Sequence, residues 1–303
     1  MSKVTSIHKN EVLAAIGEEA KKLGSYSKVA NKCGVAVATI TNNILRPENH
    51  HLVNDQMWTK VGKALGVKFG SKWNVVETTN YRIMAQVLTI AQTRAVWMPI
   101  SEKAGSGKSA GIQKYASETE NVYVLQCEEW SRRAFLLHLA RTTGVNLPGS
   151  GYLSVDVIGG KVIEFFKQRA MSQPLLILDE ADKLRPSALR WLIHLYNKLE
   201  EELGVVICGT ENLKKEIKAG VNRAVKGYDE LDSRFGRSFY GLLGATKDDV
   251  KSICEANGLT DTGRIEKVWK EVNPVQRVHN SSYVTVVEDM RLLKNKIIRE
   301  TLF

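Results

Sequence analysis

No stretch of this sequence approaches the ~20 consecutive apolar residues that a membrane-spanning helix needs. Apolar runs such as "PLLIL" and "GVVIC" stop after a handful, and no charged-then-apolar segment of the secretory kind opens the chain. Cysteine is scarce and scattered: Cys33, Cys127, Cys208 and Cys254 lie far apart with no C-x-x-C pair. That spacing argues against a zinc site or a disulfide framework and for reduced thiols in a core. The expectation is a soluble intracellular protein with no membrane partner. What is present in quantity is apolar content, 43% of 303 residues, enough for about two domains with real cores. Basic charge is also in excess, at a formal +10, which favours a polyanionic partner.

The basic excess is concentrated. Residues 1–70 hold nine Lys and one Arg against five acids, so half of the net charge sits in under a quarter of the chain. Within this segment "YSKVANKCGVAVATITNNIL" predicts a short helix, a turn at Gly34 and a second helix. Ala30 is small where two helices cross closely, and Gly34 suits a left-handed turn. Val35, Ile40 and Ile44 face inward. Ala36, Ala38, Thr39, Thr41, Asn42 and Asn43 face out, and amide or hydroxyl side chains of that kind reach base edges in a DNA groove. The pattern matches the helix-turn-helix of phage repressors, and it also fits an ordinary helical hairpin. A further helix over "DQMWTKVGKALG" completes a small bundle, and "VKFGSKW" reads as a linker.

From residue 95 onward short apolar runs alternate with amphipathic stretches. "AVWMPI", "NVYVLQC", "PLLILDE" and "GVVICGT" predict buried parallel strands with helices between them, a three-layer α/β arrangement. Between the first strand and the helix "SAGIQKYA" lies "SEKAGSGKS", which ends like the phosphate-binding pattern G-x-x-x-x-G-K-[ST] but begins with Glu102 in place of glycine. Ala104, Gly105, Ser106 and Gly107 form the curl whose N–H groups meet phosphate. Lys108 reaches the terminal phosphates, and Ser109 holds Mg²⁺. Glu102 is expected to point outward, since a carboxylate facing phosphate repels it.

The strand in "LLILDEADKL" delivers Asp179 and Glu180 side by side. The first is placed to act on Mg²⁺ through its water shell, the second to orient the water that attacks ATP. Thr210, at the end of the next strand, is placed to sense the γ-phosphate or that water, with Asn212 as the alternative. In "ELDSRFGRSFY", ahead of another short strand, Arg234 or Arg237 suits an arginine finger acting on a neighbouring subunit's ATP; each also suits a surface pair with Asp232.

These pieces resemble an AAA+ ATPase: "DEAD" at 179–182, "GT" at the sensor strand and "SRFGR" match that superfamily. More narrowly, the chain is similar to the transposon target-selection ATPases, the family of the phage Mu B transposition protein, in domain order, size and the segment "VVETTNYRIMAQVLTIAQ". The resemblance implies an AAA+ P-loop core with a parallel sheet at 71–245, an all-α helix-turn-helix DNA-binding domain at 1–70 and a helical lid at 246–303. It implies a cytoplasmic, DNA-associated protein of bacterial or phage origin. With ATP and Mg²⁺ such a protein assembles as a filament or ring on double-stranded DNA and delivers that DNA to a transposase. Arg132 and Arg133 would then face DNA phosphates, or stand solvated at a helix start, and Arg291 in "EDMRLL" would be the lid's sensor arginine. A helix-turn-helix transcription regulator with an ATPase switch and a helicase-loader-like replication ATPase are the competing readings.

Overall fold

The computed structural model describes residues 4, 6–67, 73–147 and 152–302; most of the linker expected at "VKFGSKW", residues 68–72, falls outside them. The chain forms two compact units, one of residues 1–72 with 130–171, the other of residues 73–129 with 172–303.

In the first unit α1 (Ser6–Leu23) and α2 (Tyr26–Cys33) precede a turn at Gly34, whose φ of +61° is the left-handed value expected there. Ser25 caps α2 by accepting the N–H of Lys28. After the turn, residues Thr39–Ile44 are wound as a π-helix, in which Leu45 N–H donates to the carbonyl of Ile40 at 2.9 Å. Ile40 and Ile44 are fully buried and Val35 is half-buried, whereas Ala36, Val37, Ala38 and Asn42 are exposed. α3 (Asp55–Ala64), capped by Asn54, adds Trp58 and Val61 to this small core.

Two later helices belong to the same unit: α6 (Arg132–Thr143) and α7 (Val155–Lys167), capped by Ser131 and Ser154. On α7, Ile158, Val162 and Phe166 recur every fourth residue and are fully buried. Each such side chain stabilises the fold by roughly 1.5–3 kcal/mol. The end of α6 closes against α2, where a Cβ on Gly144 would lie 2.9 Å from Lys28 Cβ.

The second unit holds a parallel sheet in the order β1 (Trp97–Ser101), β4 (Gly204–Gly209), β3 (Leu175–Asp179), β2 (Val122–Gln126). β3 and β4 are buried along their whole length, as interior strands covered on both faces require. α4 (Thr79–Thr93) and α5 (Lys108–Glu118) close one core over Ile100, Ile177 and Val206. α8 (Pro186–Leu189), α9 (Trp191–Leu199), α10 (Glu211–Asn222) and α11 (Tyr228–Arg234) complete the layers. The strand expected after "SRFGR" is reduced to one bridge between Tyr240 and Ile100. Left-handed φ values at Gly236 (+69°) and Arg237 (+57°) break the extended backbone just before it.

The C-terminal segment carries α12 (Lys247–Ala256), α13 (Thr262–Glu271) and α14 (Met290–Leu302) around Val250, Ile253, Val268, Leu293 and Ile297. It is not wholly helical. Between α13 and α14 lies an antiparallel hairpin of β5 (Val275–His279) and β6 (Ser282–Val286), joined by Asn280 and Ser281 at φ +48° and +65°. Positive φ at both turn residues is the geometry of a tight two-residue hairpin. All four cysteines are buried and free. Among the described residues, no helix is long and apolar enough to cross a membrane.

Candidate functional site

The loop from Glu102 to Gly107 runs from the end of β1 to the start of α5. Gly105 and Gly107 have φ of +83° and +89°. At Gly105 the space is also closed, because a Cβ would lie 2.6 Å from Asp289 Oδ1. The first turn of α5 has no side-chain cap, so its N–H groups and the positive end of the helix dipole are directed at whatever anion the loop receives. Lys108 is buried, and its Nζ donates to the carbonyls of Glu102 (2.8 Å) and Lys103 (3.0 Å) and to Ser106 Oγ (3.1 Å). Burial lowers its pKa against the opposing pull of Asp179 and Glu102.

Glu102 corrects the sequence reading, which has it pointing outward. Its side chain is only 7% exposed. The carboxylate accepts two hydrogen bonds from the Arg277 guanidinium (3.0 and 3.2 Å), one from Leu242 N–H (2.9 Å) and one from Lys103 N–H (3.1 Å). Burial raises its pKa, but these donors outweigh that and hold the carboxyl below its usual range. A charge taken out of water needs such partners.

Asp179 and Glu180 stand at the end of β3 in contrasting environments. Asp179 is 4% exposed and its pKa is pushed up by burial, partly offset by hydrogen bonds from the Ser109 hydroxyl and the Glu180 N–H. Glu180 is half-buried and its pKa is lowered, chiefly by Lys183 at 2.7 Å, with Gln126 at 3.2 Å and the charge of Arg291 assisting. Its φ of +57° puts a non-glycine residue in the left-handed region, a strain of about 1–3 kcal/mol of the kind found at functional sites. A buried carboxylate beside a hydroxyl fits Mg²⁺. That ion takes one or two protein carboxylates together with phosphate oxygens, and among the described residues no group of three or more His, Cys, Asp or Glu gathers into a fuller metal site.

Thr210 caps α10, accepting Asn212 N–H at 3.3 Å, and donates its hydroxyl to Asp182 Oδ2 at 2.7 Å. Asn212 itself is exposed. Asp182, in view within "DEAD", carries no role in the sequence reading, yet it orients the Thr210 hydroxyl. Asn80 carries none there either. Buried within "TTNYR", it donates to the Ser106 carbonyl (3.2 Å) and accepts Gly244 N–H (2.7 Å), tying the loop to the start of the C-terminal segment. Next to Gly107 opens a small, largely apolar cleft of about 90 Å³, lined by Trp73, Val76, Tyr81, Ile253 and Leu293.

The two candidate finger arginines have partners on α9 and α11. Arg234 stacks on Tyr196, 4.7 Å from the ring centroid, and donates to Asn197 and Glu230. Arg237, 53% exposed, pairs with Asp229 at 2.8 Å. Asp232 belongs chiefly to Lys218, 2.8 Å away, and lies 3.8 Å from Arg237. In the other unit Arg132 is exposed, while Arg133 donates to the Leu153 carbonyl and lies over the Tyr152 ring. Thr39, Thr41 and Asn43 are half-buried on the π-wound turn; the Thr41 hydroxyl donates to the Val37 carbonyl, and Asn42 is exposed.

Residues 103–217 match the family model described as an AAA domain. The matched stretch carries the phosphate loop, the acid pair and three of the four strands of the parallel sheet, and in these features it is similar to AAA ATPase domains. Among solved structures it is similar to Cdc6p from Pyrobaculum aerophilum, with 19% identity, a TM-score of 0.47 and a match over 62% of this chain and 52% of that one. The match thus spans about half the length of that protein. No curated protein matches the chain.

Proposed function

We propose that this ATPase binds double-stranded DNA without strong sequence preference, assembles on it with ATP as a filament or ring, and delivers it to a transposase. Hydrolysis then controls disassembly. The observation that carries the reading is the position of Arg237. It is exposed, and its nearest partner is Asp229, itself 70% exposed. Such a solvent-screened surface pair contributes little to stability and is readily exchanged for the phosphate of a neighbouring subunit. A finger supplied across an interface couples hydrolysis to assembly.

Within one subunit the base occupies the cleft beside Gly107, with the phosphates over Gly105 to Lys108. Mg²⁺, held by Ser109 and Asp179, would neutralise charge on the phosphate oxygens. Glu180, charged at neutral pH, accepts a hydrogen bond from the attacking water. Thr210, aimed by Asp182, and Arg291, close enough to Glu180 to depress its pKa, border the same water. The basic segment 1–70 serves as the helix-turn-helix domain, residues 71–245 as the core, of which 130–171 group with the first unit, and 246–303 as the lid, with Thr39, Thr41, Asn42, Asn43, Arg132 and Arg133 as DNA contacts. The transposase as recipient rests on the resemblance to target-selection ATPases in the "VVETTNYR" segment and domain order.

Binding to random-sequence duplex, measured with and without ATP and Mg²⁺, tests this. Binding that requires ATP and weakens when Arg132 and Arg133 are both changed to Ala supports it. An ATP-independent footprint on a single palindrome contradicts it and favours a transcription regulator.

A further inference from the structure

A phosphate loop of this pattern begins with a glycine, and this one begins with a buried acid. The Glu102 carboxylate is met by Arg277 on β5, a residue far along the chain, through both terminal guanidinium nitrogens at 3.0 and 3.2 Å. Arg277 also donates to the Leu242 carbonyl at 2.8 Å and, through Nε, to Glu288. Glu288 in turn accepts Lys103 Nζ at 2.8 Å. Lys103, Glu288, Arg277 and Glu102 therefore form a closed row of alternating charge with no net excess. Two members belong to the loop's entrance and two to the hairpin segment. The backbone of Glu102 has a second role, because its carbonyl holds Lys108 Nζ at 2.8 Å.

A second tie lies one turn further on, where Met290 N–H donates to the Gly105 carbonyl at 2.8 Å. The Asp289 carboxylate, which caps α14 by accepting the N–H groups of Arg291 and Leu292, packs on the same glycine. The entrance and apex of the loop are thus both fastened to residues 277–290.

We infer that Arg277 is a positioning residue of the phosphate loop: it cancels the charge that replaces the loop's first glycine and fixes the Glu102 backbone that presents Lys108. The inference rests on the nucleotide reading of the loop. Without Arg277, a buried carboxylate keeps only the N–H groups of Leu242 and Lys103 and has lost its countercharge, so it repels a triphosphate, and the carbonyl that holds Lys108 loses its anchor. A lysine in its place provides charge but not the planar two-pronged contact. The effect falls on affinity, since every group placed at the reacting water lies elsewhere.

The test is a double-mutant cycle read by calorimetric titration of MgATP into the full-length protein. Arg277→Ala is expected to weaken binding at least about tenfold, with Arg277→Gln weakening it in the same direction where the alanine variant melts early. In a Glu102→Gly background the same change at Arg277 is expected to alter the dissociation constant by less than about threefold. An equal loss of affinity in both backgrounds, with the acid present and with it removed, means that Arg277 acts only through general folding and overturns the inference. Wild-type affinity in both Arg277 variants overturns it as well. Failure of the wild-type protein to bind MgATP is a different result, and it overturns the nucleotide reading itself.

Discussion

Lys108 Nζ lies 2.8 Å from the backbone carbonyl of Glu102, so the loop holds its own cation in place, buried and pointed across its mouth. A preset ammonium of this kind meets phosphate without a large rearrangement, and the uncapped first turn of α5 supplies the remaining donors. Lys108→Ala is therefore expected to abolish ATP-dependent assembly on DNA while the fold persists. Electron microscopy with duplex and ATP checks the first point and a thermal melt the second.

Glu180 is the acid whose pKa is lowered, while that of Asp179 beside it is raised. In the proposed mechanism the two carboxylates divide the work, Glu180 as base-like partner of water and Asp179 as metal ligand. Glu180→Gln should leave ATP binding intact and lower turnover at least about 100-fold, trapping the protein on DNA. Single-turnover hydrolysis and a DNA-release assay read the two effects separately.

The Thr210 hydroxyl is fixed by Asp182 at 2.7 Å. Asp182→Ala is expected to lower kcat between about 10- and 100-fold with little change in KM, matching the effect of Thr210→Val. A double variant no worse than either single one shows that the two act as a unit.

Arg237→Ala is expected to leave ATP binding intact and to lower DNA-stimulated turnover at least about 100-fold. Mixing this variant with Lys108→Ala, which supplies an intact arginine but no working loop, should recover part of the activity if the finger crosses an interface. Arg234→Ala should instead lower the melting temperature, because that side chain packs on Tyr196 within its own subunit.

Burial pushes the thiols of Cys33 and Cys254 up to about 11. Both should resist alkylation in the native protein at pH 8. A folded-state pKa raised above the unfolded one contributes stability below the unfolded value and loses it as pH rises through the folded value. Stability should therefore decline from about pH 9 towards 11, and less steeply in Cys254→Ala, measured by urea melts across that range.

The strands and the loop were legible because buried parallel strands read as unbroken apolar runs and a glycine-lysine turn has few other uses. The Gly34 turn, Ile40 and Ile44 were equally open to periodicity. Residues whose partners lie far away were not. Glu102 has its meaning only beside Arg277, 175 positions later, and no local pattern points across that gap. Asn80 and Asp182 act through hydrogen bonds to Ser106 and Thr210 that spacing does not encode. The hairpin of β5 and β6 did leave a local signal, the alternating "VQRVH" and "SYVTV" about an Asn-Ser turn, which the expectation of a purely helical lid obscured. The fifth strand failed for a backbone reason, the left-handed residues 236 and 237.

Calorimetric titration of ATP with Mg²⁺ into the full-length protein, alone and with random-sequence duplex, bears most directly on whether nucleotide joins these subunits along DNA. One saturable site per chain, lost in Lys108→Ala and tightened by duplex, is the expected result. No heat from any adenine nucleotide, with or without DNA, on protein that melts cooperatively, would contradict it.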